Sequence, residues 1–335
     1  MGEGQTEGFV CSSLSDDLSG LSFKDLPVHS LQDDSVKISI KAASLNFPDL
    51  LMTQGKYQNK PELPFALGME GSGVISEIGK NVKSLKNGDE VMFGSWGHGA
   101  IAKEIVLPSS MVSLKPEKYT FAEAAAFKTV YLTAYVGLIR RGNLKDGETL
   151  LVHGASGGVG MAAVELGKLY GAKVIATGTS DEKLKVVKSW GADHVINTIK
   201  NEKTSFREEV KDLTDGKGAD IIYDPVGGDV FDESIRCINW GGRILVIGFS
   251  AGRISNLPVN YPLIKGFSVI GVRAGEFGRR NPELGTENIE IINTLANEGK
   301  LKPHVCKIFE FKDSLKALEF LKDRKLIGKV VVSIS

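Results

Sequence analysis

From about residue 149 to residue 271 the sequence alternates short apolar runs with segments of helical spacing, and nothing else in it constrains the fold as much. The runs "TLLVH", "KVIATG", "HVIN", "ADIIYD" and "RILVIG" read as buried strands, and "FSVIGV" as a sixth. Helical patterns cover about residues 159–170 and 181–190, each closed by glycine, and restart near Ser205 and Val230. Short linkers between strand and helix impose right-handed crossovers. The expected product is a doubly wound parallel sheet of the Rossmann kind.

The turn after the first of these strands, "GASGGVG" at residues 154–160, fits two motifs. As G-x-S-x-G it would be a nucleophile elbow exposing Ser156, which needs an acid and then a histidine later in the chain. The histidines after Ser156 are His194 in "GADHVIN" and His304 in "LKPHV", and neither has distinctive surroundings. As a glycine-rich turn it explains more. Gly154 permits the tight turn, Gly157 lets backbone approach a pyrophosphate, and Gly160 lets helix and strand pack closely. The N–H groups around Gly158 and Val159 then meet the phosphates at the helix start, and Ser156 donates a hydrogen bond or merely keeps the turn small.

Upstream, from Phe9 to Met111, the pattern is β-like runs and glycine turns with little helical periodicity. "SVKISIKAASLN" alternates apolar and polar residues, and "GMEGSGVISEIG" and "GDEVMF" follow with turn signals between them. "FAEAAAFKTVYLTAYVGLIRRG" then has helical spacing and ends at Gly142. After Gly271 an irregular segment leads to a helix at about residues 289–298. The tail, "CKIFEF", "SLKALEFLKD" and "KVVVSI", is too short for a domain and is expected to complete the β-rich one. A chain of 335 residues favours two domains, here 9–122 with 272–335, and 123–271.

With 41 basic and 41 acidic residues there is no net charge to draw nucleic acid or an acidic membrane. Cys11, Cys237 and Cys306 lie far apart, which argues against a disulfide framework or a cysteine-rich zinc lobe. No apolar run approaches a membrane span, and "MGEGQTEG" reads as a short disordered extension without a signal pattern. A cytoplasmic protein is expected.

The pieces "AASLNFPDLLMTQGKY", "LPFALGMEGSGVISEIG", "VHGASGGVG", "YDPVGG" and "GRILVIG" together resemble the zinc-independent quinone oxidoreductases of the medium-chain dehydrogenase/reductase superfamily, over about residues 9–335. The resemblance implies an α/β chain in which a GroES-like β-rich catalytic domain faces a Rossmann domain across a cleft, and a homodimer. It also locates where the zinc-dependent branch would hold its metal: Asn46, Met69 and Thr129, with Pro48 where that branch has a relaying hydroxyl. An amide, a thioether and a hydroxyl hold Zn²⁺ poorly, so no metal site is expected. Without zinc to polarise an alcohol, the expected acceptor is already electron-poor: a quinone or an alkene conjugated to a carbonyl. An enoyl thioester is the alternative substrate, and a non-catalytic NADPH-binding protein the alternative role.

By the same resemblance Asn46, Asp49 and Tyr57 lie near the nicotinamide. Tyr57 either donates to the developing oxyanion or walls the substrate, and Leu51 stands where relatives often have a second tyrosine. Asp49 is expected to brace the loop. Arg273 either attracts an acceptor oxygen or forms a salt bridge, and the nearby Arg279 and Arg280 would suit a coenzyme A thioester. Asp224 is expected to cap a turn. Gly248 and Phe249 join the cofactor site. The second strand of the series ends in Gly178, not in a carboxylate, which leaves room for a ribose phosphate and favours NADPH over NADH. Thr179 with Glu182 fits a capping box for the helix that follows. Lys183 and Arg324 match basic residues that contact the phosphate in relatives, and Thr198 stands in place of a tyrosine contact.

Overall fold

The computed structural model describes residues 4–95, 99–199 and 205–334. They divide into two units, Met1–Thr129 with Lys302–Ser335, and Val130–Leu301. The first unit opens with β1 (Gln5–Cys11), β2 (Leu21–Pro27) and β3 (Ser35–Leu45), followed by α1 (Phe47–Thr53). It continues through β4 (Phe65–Ala66), β5 (Glu70–Ile78), β6 (Glu90–Gly94), β7 (Glu104–Pro108), β8 (Val112–Leu114) and α2 (Phe121–Ala125). The polar start of the chain is not the loose extension expected. Residues 1–3 lie outside the described residues, but Gln5 to Gly8 pair with β2. The Thr6 hydroxyl accepts from Glu104 N at 3.0 Å, so polar residues are held in strand by partners that local sequence does not reveal.

α3 (Lys128–Tyr135) leads into a π-helical turn, Val136–Arg141, whose Gly142 N–H reaches back to the Gly137 carbonyl. The second unit then alternates β9 (Thr149–Val152), α4 (Gly158–Leu169), β10 (Lys173–Gly178), α5 (Asp181–Ser189), β11 (His194–Asn197), α6 (Phe206–Asp212), β12 (Ala219–Asp224), α7 (Gly228–Cys237) and β13 (Ile238–Val246). α8 (Asn260–Lys265), β14 (Ser268–Gly271), α9 (Ala274–Arg280) and α10 (Pro282–Asn297) complete it. All six strands are parallel neighbours in the order β11-β10-β9-β12-β13-β14, the dinucleotide-fold order in which β9 and β12 flank the reversal of winding. The inner strands β9, β10 and β12 are buried along most of their length, which is why these segments read as unbroken apolar runs.

Two sequence expectations fail just after this sheet. The stretch read as irregular holds α9 and the first turns of α10, and residues 272–301 belong to the second unit, not the first. Its glycines are packing residues here: a Cβ on Gly285 would come within 2.9 Å of Gly278 Cα, so the two glycines let α9 and α10 touch backbone to backbone. Arg140 holds α10 in place by donating to Asn288 Oδ1 at 2.7 Å and pairing with Glu287 at 2.8 Å.

The chain then returns to the first unit as β15 (Val305–Glu310), α11 (Ser314–Lys322) and β16 (Lys329–Ser333). β16 pairs antiparallel with β3, so the tail finishes the seven-stranded sheet, as expected. One core runs through Phe9, Ile38, Leu45, Leu67, Phe93, Leu318 and Val332.

Candidate functional site

In the second unit the residues singled out by sequence gather at one edge. β10, β9, β12 and β13 are adjacent, and their C-terminal ends carry Gly178, Gly154, Asp224 and Gly248 in that order. Gly154 has φ +54, and a Cβ there would lie 3.0 Å from Val226 Cγ2. A Cβ on Gly160 would lie 2.6 Å from the Gly154 carbonyl oxygen and 2.7 Å from Ala155 Cα, so α4 can start against the turn only with glycine. Gly157 differs, since the closest atom to a Cβ there is Gly154 O at 3.4 Å. The glycine at 157 is therefore not required by the protein's own packing. Gly158, Val159 and Gly160 form the first turn of α4, whose N–H groups have no carbonyl one turn back.

The neighbouring loops fit around this turn. Asp224 Oδ1 accepts from Val226 N at 2.8 Å and Gly227 N at 2.9 Å, which caps the turn after β12. Ser250 N and Ala251 N donate to the Pro225 and Val226 carbonyls, which brings Gly248 and the exposed Phe249 beside Gly227. Thr198 N donates to the Gly178 carbonyl at 2.9 Å. The start of α5 differs from expectation by one residue: Ser180, not Thr179, is the cap, and its Oγ accepts from Lys183 N. The chain is still extended at Gly178, so the helix begins later than a box at 179 requires. Asp181 is bound by Asn197 Nδ2 at 2.7 Å.

His153, immediately before the turn, was not anticipated. Its Nε2 lies 2.8 Å from Ser234 Oγ and its Nδ1 2.8 Å from Thr177 Oγ1. Ser234 donates its own proton to the Val230 carbonyl, so it accepts from Nε2–H, and Nδ1 accepts from Thr177. Burial pushes the imidazole pKa down to about 4. This serine–histidine pair is fully buried and braces the strand ends, with no exposed hydroxyl to attack a substrate.

The first unit contributes a different construction. Asn46 caps α1, and Asp49 within that helix accepts from Asn46 N at 2.8 Å and Gly68 N at 3.0 Å. Asp49 thus ties the helix to the segment before β5, and burial pushes its pKa up to about 7 despite those two donors and the nearby Lys329. Glu70 is buried too. Burial opposes its charge, but Lys329, Asn46 and Thr129 N hold the carboxyl below the usual range. Lys329 Nζ donates to Asn46 Oδ1 at 2.6 Å, to Glu70 Oε1 at 3.0 Å and to the Leu45 carbonyl at 3.1 Å. Asn46 Nδ2 donates to Glu70 Oε1 at 2.9 Å, and Thr129 N to Glu70 Oε2 at 2.8 Å. Burial lowers the pKa of Lys128 to about 8, and its ammonium donates to the Met111 carbonyl.

Sequence reading missed Glu70 and Lys329. Their signal was an ionisable residue at the head of each of two apolar strands, "EGSGVI" and "KVVVS". Tyr57, after α1, is half-buried against the same core. Arg324, with φ +54, lies in this unit, while Lys183 and Arg273 lie in the other. Arg273 faces Glu276 at 3.7 Å, and Arg280 Nε lies 2.6 Å from the same carboxylate, which also contacts Arg279.

Residues 32–117 match the family described as "Alcohol dehydrogenase GroES-like domain", and residues 158–289 the one described as "Zinc-binding dehydrogenase". A quinone oxidoreductase-like protein 2 homolog from Nematostella vectensis is 38% identical over 305 residues, covering 90% of this chain and 82% of its own. The crystal structure of the CurK enoyl reductase superposes with a TM-score of 0.88 at 27% identity, over 99% of this chain and 100% of that one. A mycobacterial protein solved in complex with NADPH gives 0.87 at 26% identity, over 98% and 99%.

Proposed function

Since the chain belongs to the quinone oxidoreductase-like family of the medium-chain dehydrogenase/reductase superfamily, we propose that it is an NADPH-dependent reductase of quinones or α,β-unsaturated carbonyls. The convergence of Gly154, Gly178, Asp224 and Gly248 at one sheet edge, beside the first turn of α4, carries this reading. Strand ends at the reversal of winding are where this fold takes a dinucleotide. Bound NADPH would supply a hydride to the acceptor carbon. Ser156, Gly157, Gly158, Val159 and Gly160 would hold the pyrophosphate on backbone N–H groups. Gly157, free of packing constraint, gives the room for that approach. Gly178 leaves space for the ribose phosphate and Lys183 supplies charge. Gly248 and Phe249 would flank the nicotinamide end. On the acceptor side, Asn46 and Tyr57 of the first unit would meet the oxygen on which charge develops.

We read the activity as metal-free. At the positions where a zinc-dependent relative holds its metal, Asn46 Oδ1 is already taken by an ammonium at 2.6 Å, and Met69 and Thr129 add only a thioether and a hydroxyl. That donor set does not fit Zn²⁺. The second reading, an enoyl-thioester reductase, is favoured by three arginines around the single carboxylate of Glu276, an excess of positive charge suited to a phosphorylated carrier.

We also propose a homodimer in the cytoplasm. β14 is a sheet edge, and Trp240, Val259, Leu263 and Ile264 near it each expose two-thirds of their surface or more. A second copy adding its own edge strand would cover them. No helix among the described residues is long and apolar enough to cross a membrane, and the three cysteines are unpaired, which suits a reducing compartment.

A panel of quinones, enones, enoyl thioesters and simple alcohols, assayed with NADPH and NADH, tests the function. Reduction of a quinone or enone with NADPH is expected. Alcohol oxidation faster than any such reduction overturns it, and faster turnover of enoyl thioesters selects the second reading.

A further inference from the structure

Resting on the reading that the acceptor is reduced beside Asn46, we propose that Lys329, together with Glu70, is a positioning residue that fixes the Asn46 amide for that step. Topology brings the three together. β3 runs between β16 and β5, with Val330 opposite Leu45 and Ser44 opposite Glu70, so Asn46, Lys329 and Glu70 stand at one end of three adjacent strands. They are 283 and 24 residues from one another in sequence, counted from Asn46.

The chemistry of the two partners leaves the amide one orientation. An ammonium only donates and a carboxylate only accepts. Oδ1 therefore faces Lys329 at 2.6 Å and Nδ2 faces Glu70 at 2.9 Å, and an amide flip would set like against like on both sides. The three protons of Lys329 are used on Leu45 O, Asn46 Oδ1 and Glu70 Oε1, so the ammonium has none for a substrate. Glu70 is likewise occupied by Ser44 Oγ at 3.0 Å, Asn46, Lys329 and Thr129 N. The second Nδ2–H of Asn46 has no hydrogen bond among the described residues. It is the donor this cluster leaves for an acceptor oxygen, and the ammonium on Oδ1 polarises the amide and strengthens that donor. Glu70 and Lys329 never touch the acceptor; they act through Asn46. A buried ion pair is poor value for stability compared with apolar packing, which is consistent with a role in orientation.

The test has a readout independent of turnover. In protein labelled with ¹⁵N-asparagine, with the Asn46 signal assigned by its loss in Asn46→Ala, the wild-type side-chain amide should show two resolved protons, the one bonded to Glu70 protected from solvent exchange. In Lys329→Met/Glu70→Gln, which removes both charges together, exchange should accelerate at least about tenfold, as an amide freed from two charge-assisted bonds does. Wild-type exchange at the rate of an exposed asparagine, or unchanged protection in the double variant, overturns the proposal. The first of these needs only the assignment variant Asn46→Ala to fold.

In the assay, the double variant should lose about 10–100-fold in kcat/KM for the acceptor while NADPH affinity stays within about twofold, the scale of a misplaced group. Asn46→Ala should add nothing in that background. Lys329→Arg, which keeps a cation on the amide, should restore most of the loss seen with Lys329→Met. A purely structural pair would instead let activity return together with thermal stability in the double variant. If the wild type reduces no acceptor at all, the functional reading fails, while the amide exchange still decides the positioning.

Discussion

The two units build their sites from opposite materials. The second uses backbone: a turn at positive φ, a helix start without side-chain caps, and glycines that let segments approach to within 3 Å of where a Cβ would be. The first uses side chains: Asp49, Glu70, Asn46, Lys329 and Lys128, all buried and joined by hydrogen bonds between segments far apart in the chain. A backbone cradle binds many ligands of one shape and tolerates substitution of its neighbours. A buried charge network fixes one geometry and fails when a single member is lost.

That contrast can be broken or sharpened by substitution. The largest effect is expected for Glu70→Ala, which leaves Lys329 buried without its counter-charge; a loss of about 3–5 kcal/mol in urea-unfolding stability is expected. A loss under about 1 kcal/mol would show that water replaces the carboxylate and that the network is not a unit.

Next comes pH. Asp49 has a folded pKa raised to about 7, so its contribution to stability is fully present below its unfolded pKa and is lost as pH rises through 7. His153 has a folded pKa lowered to about 4, so its contribution is present above its unfolded pKa and is lost as pH falls through 4. The cost of Asp49→Asn should therefore be greatest near pH 4 and that of His153→Gln greatest near pH 7. Each cost should change by roughly 3 kcal/mol across the range, the order set by shifts of two to three pH units. Denaturant titrations of both variants from pH 4 to 8 measure this, and parallel pH profiles would contradict it.

Lys183→Ala should weaken NADPH binding by about 1.5–3 kcal/mol, one charge-assisted contact, and leave NADH binding unchanged. Equal loss for both cofactors would remove Lys183 from the phosphate site. The smallest effect is expected at Tyr223, whose buried hydroxyl has no hydrogen-bond partner among the described residues. Tyr223→Phe should be neutral or stabilise by up to about 1 kcal/mol, because a desolvated orphan group is removed. A clear loss of thermal stability would reveal a bound water or ligand on that oxygen.

The contrast also explains what could be read from sequence. Gly154, Gly157 and Gly160 are spaced by local geometry, so seven residues announced the turn, and the strand runs announced the sheet around it. Asn46 was singled out through family resemblance, but its partners were not. Glu70 and Lys329 reach it through strand pairing, and register across a sheet leaves no local spacing to recognise. Short-range propensity misled in both directions elsewhere. The segment after Gly271 was read as irregular but forms α9 and the start of α10, where Gly278 and Gly285 serve helix packing, and the polar residues 5–8 looked like a loose end but form a strand. His153 lies upstream of Ser156, where the chain order of an elbow's triad places no base, and its partners Thr177 and Ser234 reach it only through the fold.

The division of labour between the two units has one direct measurement. Gly160→Ala and Asn46→Ala are prepared side by side, and each is titrated with NADPH by fluorescence and assayed with a quinone or enone at saturating NADPH. Gly160→Ala places a methyl 2.6 Å from a backbone carbonyl and should weaken NADPH binding about 5- to 150-fold, from an overpacking cost of about 1–3 kcal/mol, with the saturated rate largely kept. Asn46→Ala should do the reverse, lowering the saturated rate about 10–100-fold with NADPH affinity unchanged. Equal effects of both substitutions on both quantities would contradict the account.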